Sequence, residues 1–372
     1  NPSKSISSIV SEINTLKYVS KNNHDNLFVE YICDFNWNEY HCIVFELLGD
    51  NLYDHLKRNN FNGMPFVDVV SISFQLVYAL AKLSSLNIVH CDIKPENIAL
   101  IENSSQRKII KLIDFGSSCC NGKTVYRYIQ SRFYRAPEVI MELGYEIMID
   151  TWSVGCVIME LLTGSPIFPG NNELEQLSYF TQVLGLIPDN MALNSPKFSN
   201  FFIVKDQRAY LKPLDRAYIP HSKSIQNIIL SSVSVKNHRQ MSARSIFEEQ
   251  KIINFVDYIS RIFLYNPKKR IRPQEALSHG FFCETNRPKY LNNTFTVNQP
   301  LFRPVVKQNP NMQLSPITLV PQIPINHRLI NVNNYSNNPK PHYNDAYNHF
   351  IAYPTPYIIN YPYPVQFQIS PQ

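Results

Sequence analysis

Three short polar segments, set between predicted helices and strands, restrict the possible fold of this chain more than any other feature. Residues 90–97 read HCDIKPEN, residues 114–116 read DFG and residues 136–138 read APE. The first segment follows a long apolar helix pattern and precedes a short strand, and the second stands directly after an apolar strand. An aspartate at a strand end can hold a metal ion, and the following glycine lets the backbone turn sharply. The series therefore predicts a single site built from two loops.

The first segment carries the side chains that phosphoryl transfer requires. Asp92 can accept the proton of a substrate hydroxyl, Lys94 can contact phosphate oxygens, and Asn97 offers a neutral oxygen ligand for Mg²⁺. Asp114 is predicted to be the second metal ligand. An isolated His-x-Asp is most often a cap or a turn, but the complete HxDxKxxN pattern before a strand rarely arises by chance. We therefore favour the chemical interpretation over the structural one.

Three downstream residues are predicted to hold the fold together without taking part in chemistry. Glu138 is expected to form a buried ion pair with Arg270, because a buried charge needs a partner of opposite sign. Asp150 is expected to anchor the backbone of the 90–97 loop.

Hydrophobic periodicity predicts that helices dominate residues 51–283. The predicted helices cover residues 5–22, 66–86, 147–163, 173–184, 250–264 and 273–278, and the predicted strands cover residues 27–34, 41–47, 97–100 and 108–113. The longest apolar stretches are expected to be too short, or too interrupted by polar residues, to span a bilayer.

The last part of the chain, residues 284–372, differs sharply in composition. It holds 14 of the 26 prolines and 15 asparagines, with apolar residues at no regular period. Such a segment cannot bury enough surface to offset its chain entropy, so we predict a disordered tail rich in Pro, Asn and Tyr. An extended strap lying on the folded part remains an alternative for its first twenty residues or so.

Charge and composition exclude several classes of protein. The net charge of +6 is mild for 372 residues and does not indicate a nucleic-acid partner. The seven cysteines show no spacing typical of zinc, which favours reduced thiols and an intracellular protein, cytoplasmic or nuclear. There are only ten glycines, the first of them Gly49, and no glycine-rich phosphate loop occurs.

The three segments, in this order, resemble the signature of protein kinases. Within that fold the chain is similar to the CMGC group, and in particular to the dual-specificity tyrosine-regulated kinases, the DYRK family. The similar segments are FELLGDNLYDHL (45–56), HCDIKPENI (90–98), DFGSSC (114–119), YRYIQSRFYRAPEVI (126–140) and residues 150–185. The resemblance covers residues 5–283.

The resemblance implies an α+β fold, a bilobal protein kinase with a complete, mainly helical C-lobe and an incomplete N-lobe. Residues 1–48 would form the partial N-lobe, with helix C, strands 4 and 5 and the hinge. Residues 49–283 would form the C-lobe, with the CMGC insert at about 186–248. The intact protein would use ATP and Mg²⁺ to phosphorylate Ser or Thr of protein substrates, without membrane or nucleic-acid partners and as a monomer.

The resemblance also assigns roles to single residues. Asp92 resembles the catalytic base, Lys94 the contact to the γ-phosphate, and Asn97 and Asp114 the Mg²⁺ ligands. Around the nucleotide, Phe45 occupies the gatekeeper position, the backbone of Glu46 and Leu48 faces adenine, Asn51 lies near the ribose, and Glu12 resembles the helix-C glutamate.

This chain departs from the family pattern at several points. Cys91 replaces the usual arginine of the catalytic loop, as in the DYRK pattern itself, and Ala99 is smaller than the usual floor under adenine. The strand-3 lysine that pairs with Glu12, and the glycine loop, would fall before Asn1. We therefore expect a fragment that is inactive by itself, from an intact protein that is a kinase. A non-catalytic pseudokinase or scaffold remains the alternative, and the sequence preceding Asn1 would decide.

Regulation and substrate choice are implied by the same resemblance. Tyr128 is the candidate for autophosphorylation, with Arg132 and Arg135 as cationic partners of its phosphate. Asp54 and Glu96 are candidates to receive an Arg side chain from a substrate, in sites that often have Pro after the acceptor. Both acids could instead be solvated surface residues. Without its neighbouring strands, the sheet near Phe28 and residues 42–45 is expected to expose apolar surface.

Overall fold

The computed structural model describes residues 6–38, 40–101, 108–123, 127–214, 218–237 and 246–282. The predicted tail and Tyr126 lie outside these residues. The helices are α1 (Ile6–Lys21), α2 (Leu52–Arg58), α3 (Phe66–Ser85), α4 (Pro137–Ile140), α5 (Met148–Thr163), α6 (Glu173–Leu184), α7 (Asp189–Leu193), α8 (Phe198–Phe201), α9 (Ile225–Asn237), α10 (Ile246–Ile262) and α11 (Pro273–Ala276). The strands are β1 (Tyr31–Trp37), β2 (Tyr40–Phe45), β3 (Ile88–Val89), β4 (Ile98–Leu100), β5 (Ile110–Leu112), β6 (Cys119–Cys120), β7 (Phe202–Lys205) and β8 (Arg208–Leu211).

The N-terminal part consists of α1 and the antiparallel pair β1–β2. The helix buries Ile13, Leu16 and Val19, which recur at the spacing of one helical face. The first strand begins four residues later than predicted. Residues 27–29 instead bond to β5, since Leu112 N–H donates to Leu27 O and Val29 N–H donates to Leu112 O. These bonds tie the N-terminal part to the strand that precedes the DFG segment.

The core of the helical part is α5, which is buried from Met148 to Leu162. Trp152 lies at its centre, packed against the rings of Phe168, Phe180 and Phe263. Gly155 lets α10 approach closely, because a Cβ at this position would stand 2.5 Å from a side-chain carbon of Ile262. The predicted helix at 147–163 is confirmed.

Helix α3 packs against α5 and is the one described helix that is long and apolar enough, by length and composition alone, to cross a membrane. The expectation that every apolar stretch is too short or too interrupted is therefore wrong for this segment. Of its most apolar stretch, 67% is buried inside the fold, as in a core helix of a soluble protein, so apolar composition here reflects packing.

The short antiparallel pairs β3–β6 and β4–β5 lie on either side of the 90–97 loop in the chain and position it. The predicted strands at 97–100 and 108–113 are confirmed as β4 and β5. Residues 186–248, where the sequence offered no interpretable motif, contain α7, α8, the hairpin β7–β8 and α9. The bilobal α+β architecture thus consists of two-stranded sheets and a helical core within the described residues.

The predicted exposure of the small sheet is only partly correct. Phe28 is 0% exposed, because its ring packs edge-on against Phe115 at 5.8 Å. The prediction is correct at Phe45, which is 36% exposed, and further exposed apolar side chains lie along β1 and after β2, with Leu47 at 96%. The prediction did not foresee that Phe115, the phenylalanine of the DFG segment, covers Phe28.

Candidate active site

The sheet β4–β5 brings the two predicted loops together. Ile98 pairs with Leu112 in the ladder, so the residues just before β4 and just after β5 lie at the same end. Ile113 N–H donates to the backbone oxygen of Asn97 at 3.0 Å, which joins the last residue of one loop to the residue before Asp114. The geometry therefore assembles one polar site from segments 17 residues apart in sequence.

Asp150 anchors the first two residues of the 90–97 loop by hydrogen bonds to their backbone. Its two carboxylate oxygens accept the backbone N–H groups of His90 (2.7 Å) and Cys91 (3.0 Å). Burial raises the pKa of Asp150 to about 6, so the group remains ionised at neutral pH and accepts both bonds. Cys91 has a φ of 67°, a strained left-handed conformation for a residue with a Cβ. The predicted anchoring role of Asp150 is confirmed.

His90 connects the two loops through both ring nitrogens. Its Nε2 lies 3.1 Å from the backbone oxygen of Ile113, so Nε2 carries the proton and donates. Its Nδ1 then accepts the backbone N–H of Asp92 at 3.3 Å. The ring centroid lies 5.0 Å from that of Phe115. The histidine is fully buried, and it fixes the backbone of the catalytic-base candidate relative to the DFG segment.

The carboxylate of Asp92 is surrounded by donors. Lys94 Nζ lies 2.9 Å from Oδ2, while the backbone N–H and hydroxyl of Ser131 donate to Oδ1 at 3.1 and 2.9 Å. Burial alone would raise the pKa of Asp92. The Lys94 charge and these hydrogen bonds outweigh burial, so the pKa lies below its usual value. Asp92 is therefore ionised at neutral pH, oriented, and able to accept a proton.

Asn97 and Asp114 offer oxygen atoms suited to a hard divalent cation. The Asn97 amide nitrogen donates to Asp92 O at 2.8 Å and to Asp92 Oδ2 at 3.2 Å, which turns its carbonyl oxygen away from the acidic group. Asp114 adopts a φ of 64° and is exposed beside it. The described residues include no cluster of three or more His, Cys, Asp or Glu side chains suited to a metal. The two oxygens fit a cation that takes its other ligands from phosphate and water.

The residues assigned to the nucleotide lie along the segment that follows β2. Phe45 ends the strand and is partly exposed, and Leu48 is half-buried. Asn51 is the N-cap residue of α2, and its side chain accepts Asp54 N–H at 2.8 Å and donates to the Asp54 carboxylate at 2.8 Å. It also forms a bridge with Ala99, the predicted adenine floor. Both polar ends of Asn51 thus orient Asp54.

Glu46 and Glu12 are the two acidic residues assigned to the nucleotide region. Glu46 is bonded to Glu30 through its backbone N–H and its side chain, and its carboxylate also pairs with Lys111 of β5. Glu12 lies half-buried on α1. The residues predicted to precede Asn1 are not part of this chain, so the predicted pairing of Glu12 with a lysine stays a prediction.

Tyr128 and its predicted arginines lie close together. Its side chain is 64% exposed, and the Arg135 guanidinium carbon stands 3.9 Å from the ring centroid. Burial acts to raise the pKa of Tyr128, but Arg135 and then Arg132 outweigh it and lower the pKa. Arg132 also donates to the backbone oxygen of Asn171. The two guanidinium groups therefore already direct positive charge at the tyrosine hydroxyl.

Arg135 also fixes the backbone that leads into the site. Its Nε and Nη2 donate to Gln130 O at 3.1 and 2.7 Å, and its Nη1 lies 3.2 Å from Glu173. Gln130 has a φ of 63°, and its side chain is bonded to Ser153 and Ala136. The backbone oxygen of Gln130, a residue in a left-handed conformation, thus accepts two hydrogen bonds from the buried Arg135.

Of the two predicted substrate acids, Asp54 is exposed and Glu96 is half-buried. Burial raises the pKa of Glu96, and Asp54 is close enough for its charge to add to the effect. The Oε2 atom of Glu96 has no hydrogen-bond partner in the part of the chain that the structure describes. A buried carboxylate oxygen without a donor is costly, and a cationic group that reached it would relieve this cost.

Sequence reasoning missed Ser131, Gln130 and Lys111. Ser131 bridges Asp92 and Lys94, because its hydroxyl also accepts from Lys94 Nζ at 3.1 Å. Ser131 and Gln130 stand inside the YIQSRF run, yet their types are too common to indicate a role alone. Lys111 breaks an otherwise apolar strand, and that charge in a buried strand was a usable signal.

The predicted ion pair of Glu138 and Arg270 is confirmed. Both side chains are buried, and the guanidinium binds the carboxylate through Nη1 and Nη2. Arg270 also donates to the backbone oxygens of Met148, Leu264 and Tyr265. The pair ties the APE segment to the C-terminal end of the fold.

Comparison with known proteins agrees with this geometry. A family model described as the protein kinase domain matches residues 1–282. The DYRK-family kinase pom1 of Schizosaccharomyces pombe is 36% identical over 303 residues, 80% of this chain and 25% of that protein. Human dual specificity tyrosine-phosphorylation-regulated kinase 4 is 36% identical over 280 residues, 75% of this chain and 50% of that protein. The serine/threonine-protein kinase ppk5 of S. pombe is 40% identical over 260 residues, 69% of this chain and 28% of that protein.

The chain spans between a quarter and a half of the length of these relatives. The family match nevertheless covers most of the chain and every segment that builds the site. The chain therefore belongs to the protein kinase family, and within that family to the DYRK kinases of the CMGC group.

Proposed function

We propose that the protein containing this chain transfers the γ-phosphate of ATP to Ser or Thr hydroxyls of protein substrates. The observation that carries the proposal is the oriented, ionised carboxylate of Asp92 next to the Lys94 ammonium. Asp92 accepts the proton of the substrate hydroxyl, whose oxygen then forms a bond to the γ-phosphorus. The bond from that phosphorus to the β–γ bridging oxygen breaks, and ADP leaves. Because this set is intact, the scaffold alternative is not favoured.

The other residues of the site serve binding and orientation. Lys94 would face phosphate oxygens, and Ser131 fixes the position of Asp92 relative to Lys94 by bonding to both. Asn97 and Asp114 would hold a divalent cation, which we propose is Mg²⁺. Such a cation, when bound, neutralises charge on the phosphate oxygens. The backbone of Glu46 and Leu48 would receive adenine, with Phe45 at the back of the pocket and Asn51 at the ribose. Glu12 would pair with the upstream lysine.

We propose substrates with an Arg upstream of the acceptor and a Pro after it. The unpartnered Oε2 of Glu96, with Asp54 beside it, supports the Arg preference, because a guanidinium supplies two parallel donors to a carboxylate. The occupied carbonyl of Gln130 supports the Pro preference. A substrate residue passing this carbonyl finds no free acceptor for its N–H, and proline has no N–H to satisfy.

Peptide phosphorylation by the full-length protein tests this proposal. We expect a peptide with the upstream Arg to show a KM about ten-fold lower than the same peptide with Met there, from one charge-assisted pair. The Glu96→Gln variant is expected to lose most of that difference, whereas Glu146→Gln, at an exposed acid elsewhere, keeps it. No phosphate transfer by the wild-type protein would refute the proposed function, and equal KM values for both peptides would refute the Arg preference alone.

We further propose that Tyr128 is phosphorylated by its own kinase domain. The guanidinium groups of Arg135 and Arg132 already face its hydroxyl, and a phosphate there would gain charge-assisted hydrogen bonds. We expect Tyr128→Phe to lower kcat/KM by about ten-fold, because these bonds order the segment that leads to Ser131. Initial rates and mass spectrometry of the segment measure this. A Tyr210→Phe variant serves as control, and an unchanged rate in Tyr128→Phe would contradict the role.

A further inference from the structure

Lys111 is a buried cation that the proposed mechanism does not use. It lies on β5, three residues before Asp114, and its side chain is 2% exposed. Its Nζ pairs with the carboxylate of Glu46, which stands 65 residues earlier in the chain. A lysine in this environment needs an anionic partner, because burying an ammonium ion without one is costly.

Glu46 is held at three points. Its backbone N–H donates to Glu30 O at 3.1 Å, and its carboxylate accepts both Glu30 N–H at 2.7 Å and Lys111 Nζ. The two contacts with Glu30 join Glu46 to the residue just before β1. That segment reaches β5 through backbone bonds, among them the bond between Val29 N–H and Leu112 O. Among these three contacts, the Lys111 pair is the one that connects Glu46 directly to the sheet β4–β5.

Lys111 is placed where the two halves of the nucleotide site meet. Its ladder partner is Ala99, the predicted floor under adenine, and β5 leads directly to Asp114. The Lys111 side chain therefore connects β5, the strand that precedes Asp114, to Glu46 in the segment that faces adenine. The small side chain of Ala99 is also buried beside it.

We propose that Lys111 is a positioning residue for nucleotide binding, acting through Glu46 on the backbone that receives adenine. This inference rests on the proposed function, since it requires a nucleotide at that backbone. Without the ammonium, the partly exposed Glu46 carboxylate loses its cation and turns to water, which removes the direct link between Glu46 and β5. The backbone bonds of residues 49–50 to Leu100 stay in place, so we expect the position of Glu46 to change and the fold to persist. The acid–base groups around Asp92 keep their own hydrogen bonds and are not affected.

The test compares Lys111→Met with wild type in the full-length protein, using ATP and the Arg-containing peptide. We expect the Kd for ATP, by titration calorimetry, and the KM for ATP to rise about ten-fold, an amount that corresponds to about 1.4 kcal/mol. The kcat at saturating ATP is expected to stay within about two-fold of wild type, because a lost binding contact raises KM and leaves the chemical step unchanged. Lys123→Met, at an exposed lysine, serves as the matched control.

Two more variants keep the test decisive. Lys111→Arg retains the cation and is expected to recover most of the affinity. Glu46→Gln is expected to raise the Kd similarly, and the double variant with Lys111→Met to add little, because both changes break one contact. If Lys111→Met does not fold, Glu46→Gln carries the same comparison.

The outcomes separate this inference from the proposed function. A wild-type protein that binds no ATP would refute the proposed function. A wild-type protein that binds ATP, with unchanged Kd in Lys111→Met or Glu46→Gln, would overturn the positioning role while leaving the function intact. A fall in kcat with unchanged Kd would also overturn it, since the residue would then act on chemistry.

Discussion

Replacing Asp92 by asparagine is expected to lower kcat by roughly 10²–10⁴-fold, the usual contribution of a positioned general base. Asparagine has nearly the same shape as aspartate, but its amide cannot take the proton of a substrate hydroxyl. It can still accept the two hydrogen bonds of Ser131 through its carbonyl oxygen, whereas the ion pair with Lys94 is lost. The rate of phosphate transfer to a Ser peptide at saturating ATP measures the effect.

Binding and stability measurements separate chemistry from damage to the fold. The Asp92→Asn variant is expected to bind ATP within about ten-fold of wild type, because the groups assigned to adenine lie on another segment. Asp257→Asn, at an exposed acid far along the chain, serves as the control and should keep full activity. A kcat within a few-fold of wild type in Asp92→Asn would contradict its role as base.

The local patterns of the sequence were sufficient for most of the secondary structure. The spacing of apolar residues predicted three helices and two strands, and it matches the residues that are buried in each. These elements are α3, α5, α6, β4 and β5. The ion pair of Glu138 and Arg270 could also be predicted, because a buried charge needs a partner of opposite sign.

The errors share a different physical origin, which is contact between segments distant in sequence. The strand predicted at residue 27 begins at Tyr31 because residues 27–29 bond to β5, about 85 residues away. Phe28 is buried because Phe115 covers it. Neither partner can be recognised from the run that contains the residue itself.

In the candidate site, too, local patterns identified some residues and contacts between distant segments determined the others. The types of Asp92, Lys94, Asn97 and Asp114 indicated their chemistry, whereas Ser131 and Lys111 act through bonds that only the folded chain reveals. A serine hydroxyl between a carboxylate and an ammonium leaves no periodic signal in the sequence. The charge of Lys111 in an apolar strand marks the residue, but not its partner 65 residues away.

Replacing Arg270 by methionine is expected to lower the free energy of unfolding by about 3–5 kcal/mol, the usual cost of breaking a buried ion pair by removing one partner. Methionine fills a similar volume, but Glu138 would remain buried without a cation, and three backbone oxygens would lose their donor. Urea unfolding followed by the fluorescence of Trp152 measures the loss, since this ring lies 5.0 Å from the guanidinium.

Two comparisons show whether burial is the cause. Arg261→Met removes a pair with Asp257 whose side chains are 56% and 48% exposed, and such exposed pairs contribute about 0–1 kcal/mol because water screens them. Adding Glu138→Gln to Arg270→Met is expected to recover part of the loss, since it removes the uncompensated charge while the three backbone oxygens stay without donors. If Arg270→Met destabilises no more than Arg261→Met does, the pair with Glu138 does not hold the APE segment. A loss confined to Arg270→Met, and reduced by the second substitution, assigns the stability to the buried charge pair itself.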